Sequence, residues 1–486
     1  MLFNSLTYAI FLPVVFALYW LMPRKCKWIV LFISSYYFYM SWNLKYVVLI
    51  LGTTAISYFA ALLLEKCDTT KKKRYILFGA ALICLGVLFI FKYLNFTFDN
   101  ISKILNLFSI KLNPYTSKLL LPVGISFYTF QTMSYVFDVY HGEVKAERHF
   151  GYYATFISFF PQLVAGPIER TQNLLPQIRN SPKFDEHKAI DGLRKILWGF
   201  FKKAAIADTL AGYVDKVYAN IPESAGFAVV LAIFFFTIQI YCDFSGYSDI
   251  AIGSAKLFGI DLMDNFNSPY LSTSIHEFWK RWHISLSTWF RDYVYIPLGG
   301  NRCSKVRQKL NLMITFFVSG LWHGASWTFV IWGVLHGAAQ IIENTLKKPL
   351  QVFKKQKVGL LISGIVVFLF CNLTWVFFRA ESFYDALWIF KSALSGISQP
   401  IGYLKGGFVY LGIGKIMLLE ILSMLVILLV GDIYQIARQN FINRLVDKIK
   451  VKTPTICRMF VYIVFIWYIL VLIPLDGGGE FIYFQF

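Results

Sequence analysis

Long apolar stretches constrain this chain more than any other feature of its sequence. A helix that crosses a lipid bilayer needs about 20 consecutive apolar residues. Windows of roughly that length lie near residues 5–22, 28–44, 45–64, 75–95, 119–139, 226–244, 358–378, 411–431 and 459–475. Of the 486 residues, 57% are hydrophobic and 15% are charged, whereas soluble domains carry about 25% charged residues. The sequence therefore predicts an all-α polytopic membrane protein.

The segments between these windows are shorter and mixed in character. Residues 193–214, 247–260 and 276–296 contain both apolar and charged side chains. Such segments are stable at membrane depth only where other helices bury them or where they line a wet cavity. No region is polar over enough residues to form a separate soluble domain. We therefore expect residues 1–486 to form one integral membrane domain, with short re-entrant helices around a central cavity.

Membrane topology explains the net charge of +20 better than nucleic acid binding does. Lysine and arginine residues are concentrated at the ends of apolar windows, and the positive-inside rule places such loops in the cytoplasm. The basic loops are 23–28, 65–75, 301–309, 347–357 and 438–458. The connections 95–118 and 379–410 hold few basic residues. We expect them, together with both termini, on the outer side of the cell membrane.

Histidine is scarce, and three of the seven histidines, His276, His283 and His323, lie in the stretch 276–324. The basic loops that flank the apolar pieces 311–322 and 325–342 share one side of the membrane. The two pieces must therefore enter the membrane and return as a hairpin. Twelve helical residues rise about 18 Å, which places His323 at a turn in the membrane interior.

Two interpretations of His323 follow from this position. It is either a core histidine that is hydrogen-bonded to a helix carbonyl, or a general base. Imidazole suits the second role because it is the side chain that is ordinarily a neutral base near pH 7. Gly320 and Gly324 flank the turn, and we expect them to permit the bend.

The histidines His276 and His283 are seven residues apart, on one face if 276–290 is helical. That spacing is too long for a shared zinc ion and no third ligand is evident, so we predict no metal site. The purely structural alternative for this segment is a helix that lies at the membrane interface. Its tryptophans would form an aromatic belt, and its basic side chains would extend to the membrane surface.

Charged residues in or near the apolar windows are further candidates for the cavity. Carboxylates within a membrane are functional by default, which draws attention to Asp243 and Asp249. They are structural instead if they pair with Arg281 or Arg291. Arg170 follows a predicted chain reversal and is a candidate for the cavity rim.

Several of these segments together resemble the membrane-bound O-acyltransferase family. They are 162–168 (QLVAGPI), 243–249 (DFSGYSD), 277–285 (EFWKRWHIS), 322–324 (WHG) and the final FIYFQF. The resemblance covers nearly the whole chain. It is strongest to the bacterial branch that contains alginate O-acetyltransferases and teichoic-acid D-alanyl transferases. It implies the family's helical bundle, with 276–324 as the catalytic core.

The resemblance also implies roles for individual residues. His323 stands where the family has its catalytic histidine and would be the general base. His283 falls at the family's second polar position, 40 residues earlier, and would assist by polarising or orienting the substrate. The remaining candidates for the substrate and cavity are Trp322, Asp243, Asp249, Arg281, Arg170 and His276.

By the same resemblance, the expected reaction takes an acyl group, above all acetyl, from a cytoplasmic thioester such as acetyl-CoA, with no bound cofactor. The outcome would be O-acetylation of an exported polysaccharide or cell-wall glycan. The basic loop 301–309 would hold the donor's phosphates, or it is basic only because of topology. D-alanyl transfer to teichoic acid is an alternative. From the residues alone, so is a transporter or flippase with a polar central pathway.

The resemblance also implies an extracytoplasmic partner, similar to SGNH hydrolases, that completes the transfer. A polysaccharide is too bulky to reach the membrane interior, so we expect a narrow part of this partner to enter from outside. We expect the partner to dock on the outer loop 379–410 and on the C-terminal tail 476–486. The aromatic run of the tail is too short to span lipid. Either a neighbouring protein or the chain's own rim must therefore cover it.

Overall fold

The computed structural model describes residues 1–110, 119–164, 166–221, 223–437, 459, 462–468 and 481–482. Within these ranges the chain forms helices joined by short connections and contains no β-strand. This confirms the all-α prediction. The basic loop 438–458 and most of the apolar window 459–475 lie outside the described residues.

The helices fall into three consecutive groups along the described chain. The first group is α1 (Leu6–Leu21), α2 (Lys27–Met40), α3 (Val47–Lys66), α4 (Thr70–Leu88), α5 (Leu94–Leu107), α6 (Ile125–His141), α7 (Phe150–Ser158) and α8 (Phe160–Leu163). The second is α9 (Thr171–Asn180), α10 (Glu186–Phe200), α11 (Asp208–Tyr218), α12 (Phe227–Leu257), α13 (Ile275–Arg281), α14 (Ile284–Phe290), α15 (Lys305–His323), α16 (Trp327–Thr345) and α17 (Lys347–Phe353). The third is α18 (Lys357–Arg379), α19 (Phe383–Ala393), α20 (Pro400–Leu411) and α21 (Lys415–Ala437).

Shorter helical turns join or extend these helices. Three are π-helical: Phe89–Tyr93 joins α4 to α5, Phe201–Ala207 joins α10 to α11, and Arg291–Tyr295 follows α14. Single 3-10 turns occur at Arg24–Cys26, Leu44–Tyr46 and Pro269–Leu271.

Five helical stretches in the described chain are long and apolar enough to cross a membrane. They are Leu44–Lys66, Thr70–Leu107, Phe227–Leu257, Lys357–Arg379 and Lys415–Ala437, and Leu6–Leu21 is a shorter apolar helix. These stretches match six of the predicted windows. The windows near 28–44 and 119–139 hold shorter helices, α2 with 14 residues and α6 with 17. The chain is therefore a multi-pass membrane protein.

Helix α12 is the centre of the bundle. Of its apolar window, 72% is buried inside the protein, compared with 17% for the stretch Thr70–Leu107. It packs so closely against α10 that the contact requires glycine. A Cβ atom at Gly192 or Gly199 would lie 2.7 or 2.6 Å from a carbonyl oxygen of α12. Small residues allow membrane helices to approach in this way, and the charged side chains that follow α10 are thereby brought against α12.

The predicted cytoplasmic loops that the structure describes share one side of the bundle, which we call the basic face. It carries the loops 23–28, 65–75, 301–309 and 347–357. Loops 23–28 and 65–75 contact residues 148–149 through Trp28 with His149 and Glu65 with Arg148. Loops 301–309 and 347–357 both line one cavity, with Lys305, Lys309 and Lys347. Between these parts, Glu147 pairs with Arg179 and Arg170 pairs with Asp292. The grouping of these loops agrees with the charge pattern of the sequence.

The predicted outer connections are more helical than expected. The helix that begins at Thr70 continues through the π turn to Leu107, and the connection 379–410 contains most of α19 and α20. These segments mix polar with apolar side chains, so a search for uniformly apolar windows does not detect them. On the same side of the bundle, the Met1 amine donates a hydrogen bond of 2.6 Å to Ser41 Oγ.

The described residues of the C-terminal tail, Phe481 and Ile482, are buried against α12. The Phe481 ring lies 4.4 Å from the Tyr247 ring between centroids, and the Ile482 backbone N–H donates to Asp243 Oδ2 at 2.7 Å. Phe3 stacks on the same tyrosine at 5.0 Å. For these two tail residues, the chain itself therefore supplies the cover that the sequence required.

Candidate active site

His323 lies at the tip of a helical hairpin, as the charge pattern predicted. Helices α15 and α16 pack along each other, and His323 is the last residue of α15. Helix α15 begins at Lys305, six residues before Asn311. It begins inside the basic loop because the Ser304 side chain caps it by accepting from the Arg307 backbone N–H. The apolar part of the helix, which begins at Asn311, has the predicted length.

The two glycines near the tip have a different role from the predicted one. A Cβ atom at Gly320 would lie 2.4 Å from the Phe329 carbonyl oxygen, and one at Gly324 would lie 2.2 Å from the Phe329 ring. Gly324 has φ −159°, an extended conformation that any residue adopts. The glycines are therefore required for close packing of α15 against α16, and the prediction that they permit the bend is wrong.

Residues 276–290 do not form the continuous helix that would place His276 and His283 on one face. Helix α13 ends at Arg281 and α14 begins at Ile284, and between them His283 has φ 43° and ψ 55°. This left-handed conformation is uncommon for residues other than glycine and occurs often at functional sites. The helix break removes His276 from the face of His283. It turns the His283 imidazole into the core, where its exposed fraction is 0%.

Asn265 holds His283 in place. The Asn265 side-chain oxygen accepts from the Ser285 backbone N–H at 3.3 Å and from Ser285 Oγ at 2.9 Å, and its backbone oxygen accepts from Ile284 N–H at 2.9 Å. The same side-chain oxygen lies 3.1 Å from His283 Nδ1. A carbonyl oxygen can only accept, so Nδ1 carries the proton and Nε2 has a lone pair. Among the described residues, Nε2 has no hydrogen-bond partner.

His283 and His323 are buried side by side. Their ring centroids are 6.5 Å apart, with the ring planes inclined by 60°. A direct hydrogen bond needs about 2.7–3.2 Å between the donor and acceptor atoms. With 6.5 Å between the ring centroids, no nitrogen of one ring comes that close to a nitrogen of the other. The rings that enclose the pair are Phe127, Phe244, Trp322, Trp332 and Phe378.

A cavity of about 880 Å³ opens on the basic face and ends one helical turn from His323. Its inner wall includes Thr315 and Ser319 of α15, and Ser319 precedes His323 by four residues on one helix face. The basic residues of the lining are Lys280, Arg291, Lys305, Lys309 and Lys347, and no described lining residue is acidic. The cavity therefore suits an anionic ligand.

Two further cavities lie on the opposite side of His323. One of about 80 Å³ is lined by His323, Trp322, Lys92 and residues 121–127. The other, of about 730 Å³, is lined by Lys92, residues 379–381 and part of the hairpin tip. His323 therefore stands between a cavity on the basic face and cavities on the other face.

The predicted carboxylates are paired, but with lysines. Asp243 lies 2.6 Å from Lys203 Nζ, and Asp249 lies 2.5 Å from Lys202 Nζ and 3.6 Å from Lys195 Nζ. The prediction that Arg281 or Arg291 would pair with them is wrong. The lysines are 40 or more positions earlier in the sequence, and only the close crossing of α10 and α12 brings them to these carboxylates. We call Lys202, Lys203, Asp243 and Asp249 the charged cluster.

Three further predicted residues, Arg281, Arg170 and His276, lie around the site and do not contact the two histidines. Arg281 pairs with Glu277 at 2.8 Å, and Arg170 pairs with Asp292 at 3.1 Å; neither lines a described cavity. His276 lines the cavity on the basic face. Partial burial and the neighbouring Lys280 ammonium lower the pKa of His276 below its ordinary value, which keeps its imidazole neutral at pH 7.

The structure adds residues that the sequence did not single out. Asn265 supports His283, Trp332 packs on His323 with 5.0 Å between ring centroids, and Lys92 contacts the backbone of the hairpin tip. A signal existed for Lys92, because a lone lysine inside an apolar window is costly without a partner. Asn265 and Trp332 had no such signal, since their roles depend on tertiary contacts.

Comparisons with known proteins identify the family. The sequence model of the membrane-bound O-acyltransferase family matches residues 29–380. A probable alginate O-acetylase of Pseudomonas aeruginosa is 40% identical over 81% of this chain and 75% of the relative. A peptidoglycan O-acetyltransferase of Helicobacter pylori is 35% identical over 82% of this chain and 81% of the relative. A teichoic acid D-alanyltransferase of Bacillus subtilis is 29% identical over 51% of this chain and 67% of the relative. This chain belongs to the membrane-bound O-acyltransferase family.

Proposed function

We propose that this O-acyltransferase moves an acetyl group from cytoplasmic acetyl-CoA across the cell membrane, for O-acetylation of an exported polysaccharide or cell-wall glycan. The observation that carries the proposal is the position of His323 between the cavities of the two faces. Relatives named for O-acetylation match 81% and 82% of this chain, whereas the D-alanyltransferase matches 51%. This difference favours acetyl over D-alanyl transfer.

In the proposed reaction, His323 is the general base. Its imidazole takes the proton of the acceptor hydroxyl while the hydroxyl oxygen bonds to the thioester carbonyl carbon. The carbon–sulfur bond then breaks, and the leaving thiolate takes the proton from the imidazolium. The products are an ester and a free thiol, and the imidazole is neutral again. A general base of this kind contributes roughly 10²–10⁴-fold to the rate.

His283 assists in this mechanism by holding the incoming hydroxyl. Asn265 occupies Nδ1–H, so the lone pair of Nε2 is available to a donor. An acceptor hydroxyl that enters between the rings can donate to Nε2 before it reaches His323. The left-handed backbone at His283 is a strained conformation, and the hydrogen bonds from this segment to Asn265 maintain it.

The basic cavity is the proposed donor site. The phosphates of coenzyme A would lie among the five basic residues of its lining, and the pantetheine arm would extend inward past Thr315 and Ser319. A narrow arm fits this route because the described lining along α15 changes from basic at its start to apolar and hydroxyl side chains toward His323. The donor would then enter from the cytoplasm, with the basic face inward and both termini on the outer side.

The acceptor is proposed to come from the opposite side through a partner. The cavity of about 80 Å³ beside His323 is smaller than typical ligand pockets of about 300–1,000 Å³. A side chain or chain end of an SGNH-hydrolase-like partner would carry the acetyl group outward to the polymer. The segment 383–411 on this side exposes several large apolar residues, and it is the proposed docking region.

A transfer assay with labelled donors tests the proposal. Purified protein in sealed vesicles receives acetyl-CoA labelled in the acetyl group, and acetyl transfer to an added hydroxyl acceptor and thiol release are both measured. We expect both in the wild type and neither in His323→Ala. Transfer from a D-alanyl carrier protein with none from acetyl-CoA would favour the D-alanyl alternative. Thiol release at the wild-type rate by His323→Ala would contradict the role of His323.

A further inference from the structure

Lys92 contacts the end of the helix that carries His323. Its Nζ donates to the Trp322 carbonyl oxygen at 2.7 Å and to the His323 carbonyl oxygen at 2.9 Å. These carbonyls belong to the last turn of α15, where helix carbonyls lack partners within the helix. An ammonium group at a helix C-terminus is also favoured by the helix dipole.

Two neighbours on the same helical stretch extend this contact. Tyr93 Oη donates to the Leu321 carbonyl oxygen at 2.9 Å, so consecutive residues of one helix bind three consecutive carbonyls of another. Asn100 Oδ1 accepts from Trp327 Nε1 at 2.8 Å, at the start of α16. The stretch Thr70–Leu107 therefore contacts both the end of α15 and the start of α16 at the hairpin tip.

The local backbone of Lys92 departs from regular α-helix. Residues Phe89–Tyr93 form a π-helical turn, an irregularity that occurs frequently at functional sites. The turn lies in a stretch long and apolar enough to cross a membrane. A lysine in such a stretch is costly and marks a specific use. Lys92 is half-buried and lines both cavities on the outer side of His323.

We propose that Lys92 is a positioning residue that fixes the His323 imidazole by tying down the C-terminal turn of α15. The inference rests on the proposed function of His323 as the general base. Because the imidazole is attached to the residue whose carbonyl Lys92 binds, release of that carbonyl lets the end of α15 fray. A displacement of about 1 Å at a reacting group can cost roughly 100-fold in rate.

The test compares Lys92→Met with Lys92→Arg. Methionine keeps the apolar stem and removes the donors, whereas arginine keeps the positive charge and several N–H groups. We expect kcat of Lys92→Met to fall roughly 100-fold with the KM for the donor unchanged. Lys92→Arg should recover a large part of that loss. If Lys92→Met folds poorly, Lys92→Gln replaces it, with an expected tenfold loss of kcat and an unchanged KM.

Lys216→Met is the matched control. Lys216 Nζ also donates to a carbonyl near a helix end, that of Tyr410 at 2.6 Å, and does not line the cavities around His323. We expect it to keep the wild-type kcat. Wild-type kcat in Lys92→Met, or a raised donor KM with unchanged kcat, would overturn the positioning role. If Lys92→Met gives either of these results and His323→Ala is inactive, only the positioning role of Lys92 is refuted. A fully active His323→Ala refutes the proposed function itself.

Discussion

Two buried polar regions lie on either side of Phe244, and they differ in how their polar atoms are paired. In the charged cluster, each lysine and carboxylate has an ion-pair partner within 2.6 Å. In the pair formed by His283 and His323, His283 Nε2 has no hydrogen-bond partner among the described residues, and His323 lines a cavity. In the first region the opposite charges are paired with each other, whereas in the second a ring nitrogen of His283 is open to a ligand.

Under the proposed function, this difference corresponds to a structural role for the charged cluster and a catalytic role for the two histidines. A buried charge without a partner is strongly destabilising, so a fully paired cluster is what a stable helix crossing requires. A buried polar atom left without a partner costs about 1–3 kcal/mol, and in the proposed mechanism the acceptor hydroxyl supplies the partner of His283 Nε2. The family resemblance singled out His323 as the base and left Asp243 between a functional and a structural role, and the pairing of Asp243 with Lys203 favours the structural one.

The largest expected effect on stability comes from Asp243→Ala. This change removes one of the two carboxylates that pair with Lys203, so that Asp208 remains, and it removes the acceptor of the Ile482 backbone N–H. We expect the free energy of unfolding to fall by about 3 kcal/mol, the lower end of the range for a broken buried pair. Thermal unfolding in detergent measures this, and activity per folded molecule should stay within a few-fold of wild type.

The control is Asp264→Ala, which removes a more exposed partner of Lys195. Exposed ion pairs contribute about 0–1 kcal/mol, so this variant should unfold close to the wild type. A stable but inactive Asp243→Ala would break the distinction, because it would place the charged cluster in the reaction.

His283→Ala is expected to have the opposite profile. Loss of the hydrogen bond by which Nε2 holds the neutral acceptor hydroxyl should lower kcat/KM for the acceptor by roughly 10-fold, with little change in unfolding temperature. His336→Ala is the matched variant, because His336 is also a buried histidine near the site. The two ring nitrogens of His336 are already bonded, to Trp279 and Thr374. Its removal should therefore lower stability more than kcat. Equal profiles for the two variants would remove the basis for treating His283 as functional.

The smallest effect is expected at the rim of the basic cavity. Lys309→Gln removes one of five basic side chains there. Because each exposed charge contributes about 1 kcal/mol or less, the KM for acetyl-CoA should rise a few-fold, more at low salt, with kcat unchanged. Lys183→Gln, an exposed lysine outside the cavities, is the control. An unchanged KM at low salt would argue against phosphate binding at this rim.

Charge patterning predicted the large features of the fold from the sequence. The basic residues on both sides of the apolar pieces required the hairpin of α15 and α16, and the structure contains it. The helix break at His283 had no comparable signal, because neither glycine nor proline marks residues 282–284. The left-handed conformation there depends on Asn265, a contact made by tertiary folding.

The partners of the buried charges were equally inaccessible to sequence reasoning. Asp243 and Asp249 were expected to bind arginines, yet Lys203 and Lys202 reach them across a glycine-lined helix crossing. Spacing along the chain does not encode such a crossing. The charge pattern, by contrast, placed His323 at the hairpin tip, where the structure has it, and the family motif points to the same residue as the candidate base.

The central claim is that His323 serves the reaction and does not hold the fold. The most direct measurement is kcat and unfolding temperature of His323→Ala on the same purified sample, with acetyl-CoA as donor. If His323 is the general base, kcat of His323→Ala should fall by roughly 10²–10⁴-fold, and its unfolding temperature should be like that of the wild type. A folded His323→Ala protein that turns over at the wild-type rate would contradict it.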